Sequence, residues 1–344
     1  MKGYFKIKSF LTIIILAAAA IGLFLGPFFP NSALAMERLA CASYPVFLFT
    51  RYLAEGRERF NVELITSPAS GCPHEFAPTP RDLERLTQTS VLVKNGLNLE
   101  PFLDKAAKVL PPQAKVIDAS QSIPTLSMVW GRLDFDSSQK PFPDGTLPSM
   151  IPNPHAFLSP KFAKIMAANI VSGLSQLDPS GADYYAQRLS AFNADMENLE
   201  REIELFRLTH RGYRAVTSHG FFDYLAQDLG LAVLADINPS ESVPPSAARL
   251  KALAELIKIQ KISVILVDPH ADPNPAKALS RECGVPAAII DTATSGPAEP
   301  PIDFYQQIIR EDMALLSKIL PQTHEAPPDS PTKTSSLSPP TGLK

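Results

Sequence analysis

"DYYAQRLSAFNADMENLEREIELFRL", residues 183–208, decides the architecture of this chain. It runs for 26 residues without glycine or proline, so nothing interrupts a helix of about 40 Å at 1.5 Å per residue. Its "LEREIE" stretch reads as a solvated charged face. What lies on either side is the same pattern twice. Upstream, "RLACASYPVFLFTRYLAEG" reads as a strand running into a helix, "FNVELITSP" as a strand, "TPRDLERLTQTSVLVKNG" as a helix and a buried strand, and "AKVIDAS" as a further short strand. Downstream come strand "YRAVTSH", helix "GFFDYLAQDLG", strand "LAVLADI", helix "SAARLKALAELIKIQ", strand "SVILVD", helix "PAKALSRECG" and strand "AAIID". Strands alternating with helices predict parallel sheets. The fold class is therefore α/β, with two lobes, each a mainly parallel sheet flanked by helices, joined by one long rigid helix.

The domain plan follows: a signal peptide over 1–35, an N-terminal lobe over 36–180, the linking helix over 181–209, a C-terminal lobe over 210–320 and a disordered tail over 321–344. The tail is rich in Pro, Ser and Thr. Residues 131–152, "GRLDFDSSQKPFPDGTLPSMIP", lack periodicity and read as a long surface loop. At the N-terminus, three lysines in "MKGYFKIKSF", the apolar run "LTIIILAAAAIGLFL" and "NSALA" form the three-part layout of a secretory signal, with cleavage after Ala35. The apolar run is short for a bilayer span. Glu37 and Arg38 count against a lipid anchor at Cys41. The chain is expected to be exported, to the periplasm or another extracytoplasmic space.

The net charge of −3 and the absence of a basic stripe give no argument for nucleic acid, and none is expected as a partner. Three cysteines in an exported chain leave one odd. Cys41 and Cys72 are the candidate disulfide pair, with Cys283 a buried thiol at a helix end. A metal-ligand reading of the cysteines has no C-x-x-C spacing behind it.

Six histidines are few for 344 residues, yet two repeat one pattern: "CPHEF" at 72–76 and "NPHAF" at 153–157 both read Pro-His-x-Phe. The proline stiffens the backbone ahead of the imidazole and lowers the entropy lost on ordering it. His74 and His155 come from the first lobe. His219, after "YRAVTS", and Asp291, after "AAII", come from the second. All four sit where strands or loops meet helices, at the strand ends where open α/β sheets bind ligands. Three imidazoles and a carboxylate suit tetrahedral zinc. Read singly, each histidine is more often structural. His270 and Asp268, in "LVDPHADP", read as a surface or structural pair; His210 reads as the cation ending the long helix, and His324 belongs to the tail.

The segments "GCPHEFAPTPRDLERLTQTSVLVKNGLNLEPFL", "NPHAFLSPKFAKIMAANIVSGLSQLDPSGADYY", "TSHGFFDYLAQDLGL" and "PSESVPPSAARLKALAELIKIQKISVILVDPHADPNPAKALSRECGV" resemble the zinc- and manganese-binding proteins of bacterial ABC importers, the cluster A-I solute-binding proteins. The resemblance spans residues 38–318. It implies one metal in the cleft between the lobes, bound by His74, His155 and His219, with Asp291 as the carboxylate. Histidine at the third position favours zinc, with manganese as the alternative. Glu75 and Asp223 are stand-ins for the fourth position, and Asp223, four residues after His219, is expected to orient that imidazole on one helical face. The loop at 131–152 carries no histidine, which departs from many zinc members. The implied function is capture of Zn²⁺, or Mn²⁺, by a monomer for delivery to a membrane ABC permease. A zinc hydrolase with Glu75 as base is the competing class, but H-E-x-x-H and G-x-S-x-G are absent, and no enzyme activity is expected.

Overall fold

The computed structural model describes residues 36–69, 71–106, 108–128, 151–238 and 243–323, and residues from Glu37 on form one compact unit. Within that unit the first sheet holds β1 (Glu37–Cys41), β2 (Phe60–Leu64), β3 (Val91–Lys94) and β4 (Lys115–Asp118) in the order β2-β1-β3-β4, all parallel. The centre strand β1 ends in Leu39, Ala40 and Cys41, each fully buried. A strand covered on both faces is apolar throughout, as parallel sheets require. Its helices are α1 (Tyr44–Ala54), α2 (Pro80–Thr87), the short α3 (Leu103–Ala106) and α4 (Pro160–Leu177). Thr79 caps α2 by a reciprocal exchange with Asp82.

A short antiparallel pair, β5 (Ser127–Met128) with β6 (Ile151–Pro152), closes the chain on both sides of residues 129–150. The end of the expected 131–152 loop is therefore paired strand; the rest of it, with Trp130, lies outside the described residues.

The long helix α5 spans Ala182–Thr209. Its buried residues Tyr185, Phe192, Met196, Leu199, Ile203 and Phe206 fall on one face at helical spacing. That stripe packs on α1 and α4 of the first lobe and on helices of the second. Phe192 meets Phe49 and Tyr52 edge-on, with ring centres 5.5 and 5.1 Å apart. The start of the helix is fixed by Asp178, which accepts from Arg57 Nε and Nη2 at 2.8 and 2.9 Å and from the Tyr185 hydroxyl at 2.9 Å. At the other end His210 is buried and stacked on Phe206, with ring centres 4.2 Å apart. Its Nδ1 donates to the Phe206 carbonyl at 3.1 Å.

The second sheet comprises β7 (Arg214–Thr217), β8 (Ala232–Asp236), β9 (Val264–Val267) and β10 (Ala287–Ile289), parallel, in the order β10-β9-β7-β8. Its helices are α6 (Asp223–Leu229), α7 (Ala247–Ile259), α8 (Asn274–Cys283) and α9 (Phe304–Ile319). The strap before α9 and α9 itself cross back to the first lobe: the Tyr44 hydroxyl donates to Pro297 O and the Tyr305 hydroxyl to Phe157 O, both at 2.8 Å. Thr323 N–H donates to Thr209 O at 2.8 Å, so the chain stays on the body through that residue; 324–344 lie outside the described residues. Among the described residues no helix is long and apolar enough to cross a membrane.

Candidate metal centre

Every expected ligand lies just beyond a strand or opens a helix, and parallel sheets put all strand carboxyl ends on one edge. After β2 the chain turns at Gly71, where φ is +70°, a conformation that suits glycine. It then forms the 3₁₀ turn Pro73–Glu75, which carries His74. Pro154 leads into a second 3₁₀ turn, His155–Leu158, that feeds α4. His219 follows β7 in extended backbone and precedes the turn Gly220–Phe222.

The structure sets the three histidine rings side by side through His155, with His219 standing outside the tighter cluster that His74 and His155 form with Cys72. The rings of His74 and His155 are 5.6 Å apart, and those of His155 and His219 are 5.9 Å apart. His155 is 1% exposed and His219 6%. Phe157 and Phe221 flank them, at 5.9 Å from His155 and 4.8 Å from His219. The Phe of the other Pro-His-x-Phe element, Phe76, instead packs edge-on against Phe102 at 4.9 Å.

Burial favours the neutral form of His155 and His219. Burial, followed by the neighbouring His74 and His219, holds His155 well below its ordinary value. Burial, then His74, pushes His219 down to about 3. A neutral imidazole offers a lone pair, which is what a metal needs.

The tautomer of His155 is fixed by Asn153, which is fully buried. Asn153 Nδ2 donates to the Gly220 carbonyl at 2.8 Å, so its Oδ1 is the acceptor. Oδ1 takes the His155 backbone N–H at 3.0 Å and faces ring Nδ1 at 2.9 Å. Nδ1 therefore carries the proton and the lone pair resides on Nε2. That atom is buried and has no hydrogen-bond partner among the described residues, an expensive state unless something else uses it. The donor set fits a transition-metal ion.

Asp223 enters this network by a different route from the one expected. His219 lies outside any helix and α6 begins only at Asp223, so the two do not share a helical face. Asp223 Oδ2 accepts from Asn153 Nδ2 at 3.3 Å and so supports His155.

The carboxylates follow from strand order. β9 lies between β7 and β10, which places the residue after β9 beside His219. Asp268 is 3% exposed, and its Oδ2 comes 3.8 Å from His219 Nε2. Its Oδ1 accepts the His270 N–H at 2.7 Å. Of the surface and structural readings of Asp268, its burial leaves the structural one, and it also places the carboxylate beside His219. Asp291 is half-buried, its N–H bonded to Asp312 Oδ1 at 3.0 Å and its own Oδ1 taking the Ala293 N–H at 2.8 Å. Burial raises the carboxyls of both Asp268 and Asp291. The Glu75 side chain lies outside the described part.

The cysteines behave differently from the disulfide expectation. No bridge joins Cys41 and Cys72. Cys41 is sealed in β1, where burial pushes its thiol up to about 12. Cys72 sits at the mouth of the histidine cluster: its Sγ and one ring nitrogen each of His74 and His155 all lie within 4.8 Å of one another. Cys283 is only half-buried, ending α8 with Sγ 3.7 Å from Ala254 O.

Two α/β lobes on one shared helix, with neutral imidazoles converging from both, define a bilobed solute-binding protein whose donors suit a metal ion. The chain belongs to the ZnuA family, zinc-uptake complex component A, periplasmic, which it matches over residues 40–319. The metal ABC transporter substrate-binding lipoprotein SloC of Streptococcus mutans is 29% identical over 231 residues, 64% of this chain and 70% of its own length. The iron-binding protein YfeA of Yersinia pestis is 29% identical over 227 residues, 65% and 67% of the two chains. The binding protein FpvC of Pseudomonas aeruginosa, solved with Mn²⁺, superposes with a TM-score of 0.71 at 22% identity, covering 83% of this chain and 98% of its own. The protein is a substrate-binding component of the metal ABC importers, not an enzyme.

Proposed function

We propose that this protein captures Zn²⁺ outside the cytoplasm and delivers it to an ABC permease as a monomer, exported by its N-terminal signal. The observation that carries the reading is the meeting of His74, His155 and His219 from both lobes, with the His155 Nε2 lone pair buried and committed to no hydrogen bond. Nitrogen donors suit borderline-soft zinc better than hard manganese, whose preference is oxygen. The family description names zinc, whereas YfeA is named for iron and FpvC is solved with Mn²⁺. The three imidazoles hold the ion, and on the sequence argument Asp291 supplies the fourth donor. Cys72, clustered with His74 and His155, is a second claimant for that position. No step of chemistry is needed: the ion is cargo, and release follows when docking separates the two lobes' ligands.

The test is competition. Chelator-stripped protein is equilibrated with equal zinc, manganese and ferrous iron, and the bound metal is counted. Zinc should take nearly all sites. A manganese or iron preference keeps metal capture and overturns zinc.

A further inference from the structure

We propose that Cys72 is a metal ligand: its thiolate joins His74 and His155 to seat the ion on the first lobe, and His219 closes the site from the second. The inference rests on the metal-capture reading above and specifies its donor set. Its ground is geometric. Cys72 Sγ and ring nitrogens of His74 and His155 lie within 4.8 Å of one another, the spacing of three corners around one ion with metal–sulfur and metal–nitrogen bonds of about 2.3 and 2.1 Å. A second observation points to the same ligand independently. His155 is 1% exposed, and its Nε2, the nitrogen that Asn153 leaves deprotonated, has no hydrogen-bond partner among the described residues.

The local chain explains why the three meet. Pro73 separates Cys72 from His74 and holds them across one tight turn. Ahead of it, Gly71 turns with positive φ against the His270 ring; a Cβ there would lie 2.7 Å from His270 Cγ. The loop is thus pinned from both sides, and a pinned loop loses little entropy on binding.

Sulfur changes what the site selects. Three nitrogens and a thiolate make a complete tetrahedron, the geometry of Cys-His zinc sites, and a soft donor discriminates against manganese. Asp291 then stands outside the first coordination sphere. On binding, the Cys72 thiol passes its proton to bulk water and the metal takes the sulfur lone pair, so no redox partner is needed.

The experiment is a titration of the chelator-stripped protein with Co²⁺, which occupies zinc sites and reports sulfur through a near-ultraviolet thiolate-to-cobalt charge-transfer band. The band should appear at one equivalent in the wild type, vanish in Cys72→Ser and persist in Cys283→Ser. Zinc affinity of Cys72→Ser should fall by at least about tenfold, the lower bound typical even of groups behind a ligand. The zinc-to-manganese affinity ratio should fall with it. Stoichiometric Co²⁺ binding without the band overturns Cys72 as a ligand while leaving metal capture intact. Absence of stoichiometric binding by Co²⁺ and Zn²⁺ overturns both. The wild-type spectrum decides the matter even if a variant fails to fold.

Discussion

Asn153→Ala should weaken metal binding although Asn153 is not a ligand. The amide ties the two lobes' ligand turns together: Nδ2 reaches the Gly220 carbonyl beside His219, and Oδ1 fixes the His155 backbone and ring. Truncation leaves the His155 ring free to take the other tautomer or to rotate, and a fraction of the molecules then present N–H where the ion needs a lone pair. Groups that orient a ligating histidine this way are worth about 10- to 100-fold in affinity, or about 1.4–2.7 kcal/mol. The fold loses four hydrogen bonds at about 1 kcal/mol each, so thermal stability falls as well. The two effects separate by measuring zinc affinity against a chromophoric chelator at a temperature where both proteins are folded. Asn153→Asp supplies the control. It keeps an acceptor for His155 but sets a second negative charge against Asp223, so it should lose stability while keeping more affinity than the alanine variant. Zinc affinity in Asn153→Ala within about twofold of wild type would refute the reasoning and mean that Phe157 and the turn alone hold the ring.

Three further outcomes follow from the same structure. Glu100 is buried and accepts from Ser43 Oγ and the Asn95 N–H at 2.7 and 2.8 Å, yet burial raises its carboxyl to about 7. Its folded value lies above the unfolded one near 4.3, so the folded state binds the extra proton and stability should fall as pH rises from about 4.5 to 7. Glu100→Gln should flatten that part of the melting-temperature profile; an unchanged slope would count against it. Gly71→Ala places a β-carbon at positive φ and against His270, a strain of about 1–2 kcal/mol. Because the strain falls on the turn holding Cys72 and His74, zinc affinity should drop about tenfold, read by the same chelator competition. Phe192→Ala empties the aromatic cluster on the long helix and should cost about 3–5 kcal/mol in denaturant unfolding without altering metal stoichiometry.

The elements readable in the sequence are those set by local physics. Residues 183–208 contain no helix breaker and form the heart of Ala182–Thr209. The apolar runs around Leu39, Val91, Val216 and Val264 became parallel strands because nothing but a doubly covered sheet accommodates them. That His74, His155 and His219 lie near one another was readable from proline placement, strand ends and the family resemblance together. The unreadable parts depend on strand order and on long-range contact. Chain order suggests that β7 neighbours β8 and then β9; the sheet instead inserts β9 between β7 and β10, and only that brings Asp268 to His219. An i to i+4 argument tied Asp223 to His219, but the turn Gly220–Phe222 intervenes, and Asp223 serves His155 through Asn153, a residue seventy positions away. Cysteine counting in an exported chain favoured a Cys41–Cys72 bridge. It had no means of knowing that Cys41 is enclosed in the central strand while Cys72 faces two imidazoles.

The central claim is that imidazoles from both lobes hold one metal ion, and calorimetric titration of the chelator-stripped protein with zinc, beside His155→Ala and His219→Ala, tests it most directly. His155 belongs to the first lobe and His219 to the second, so a shared site predicts one equivalent of zinc bound tightly by the wild type and severe weakening in both variants. Undiminished binding in either variant, or no stoichiometric binding by the wild type, would contradict the claim.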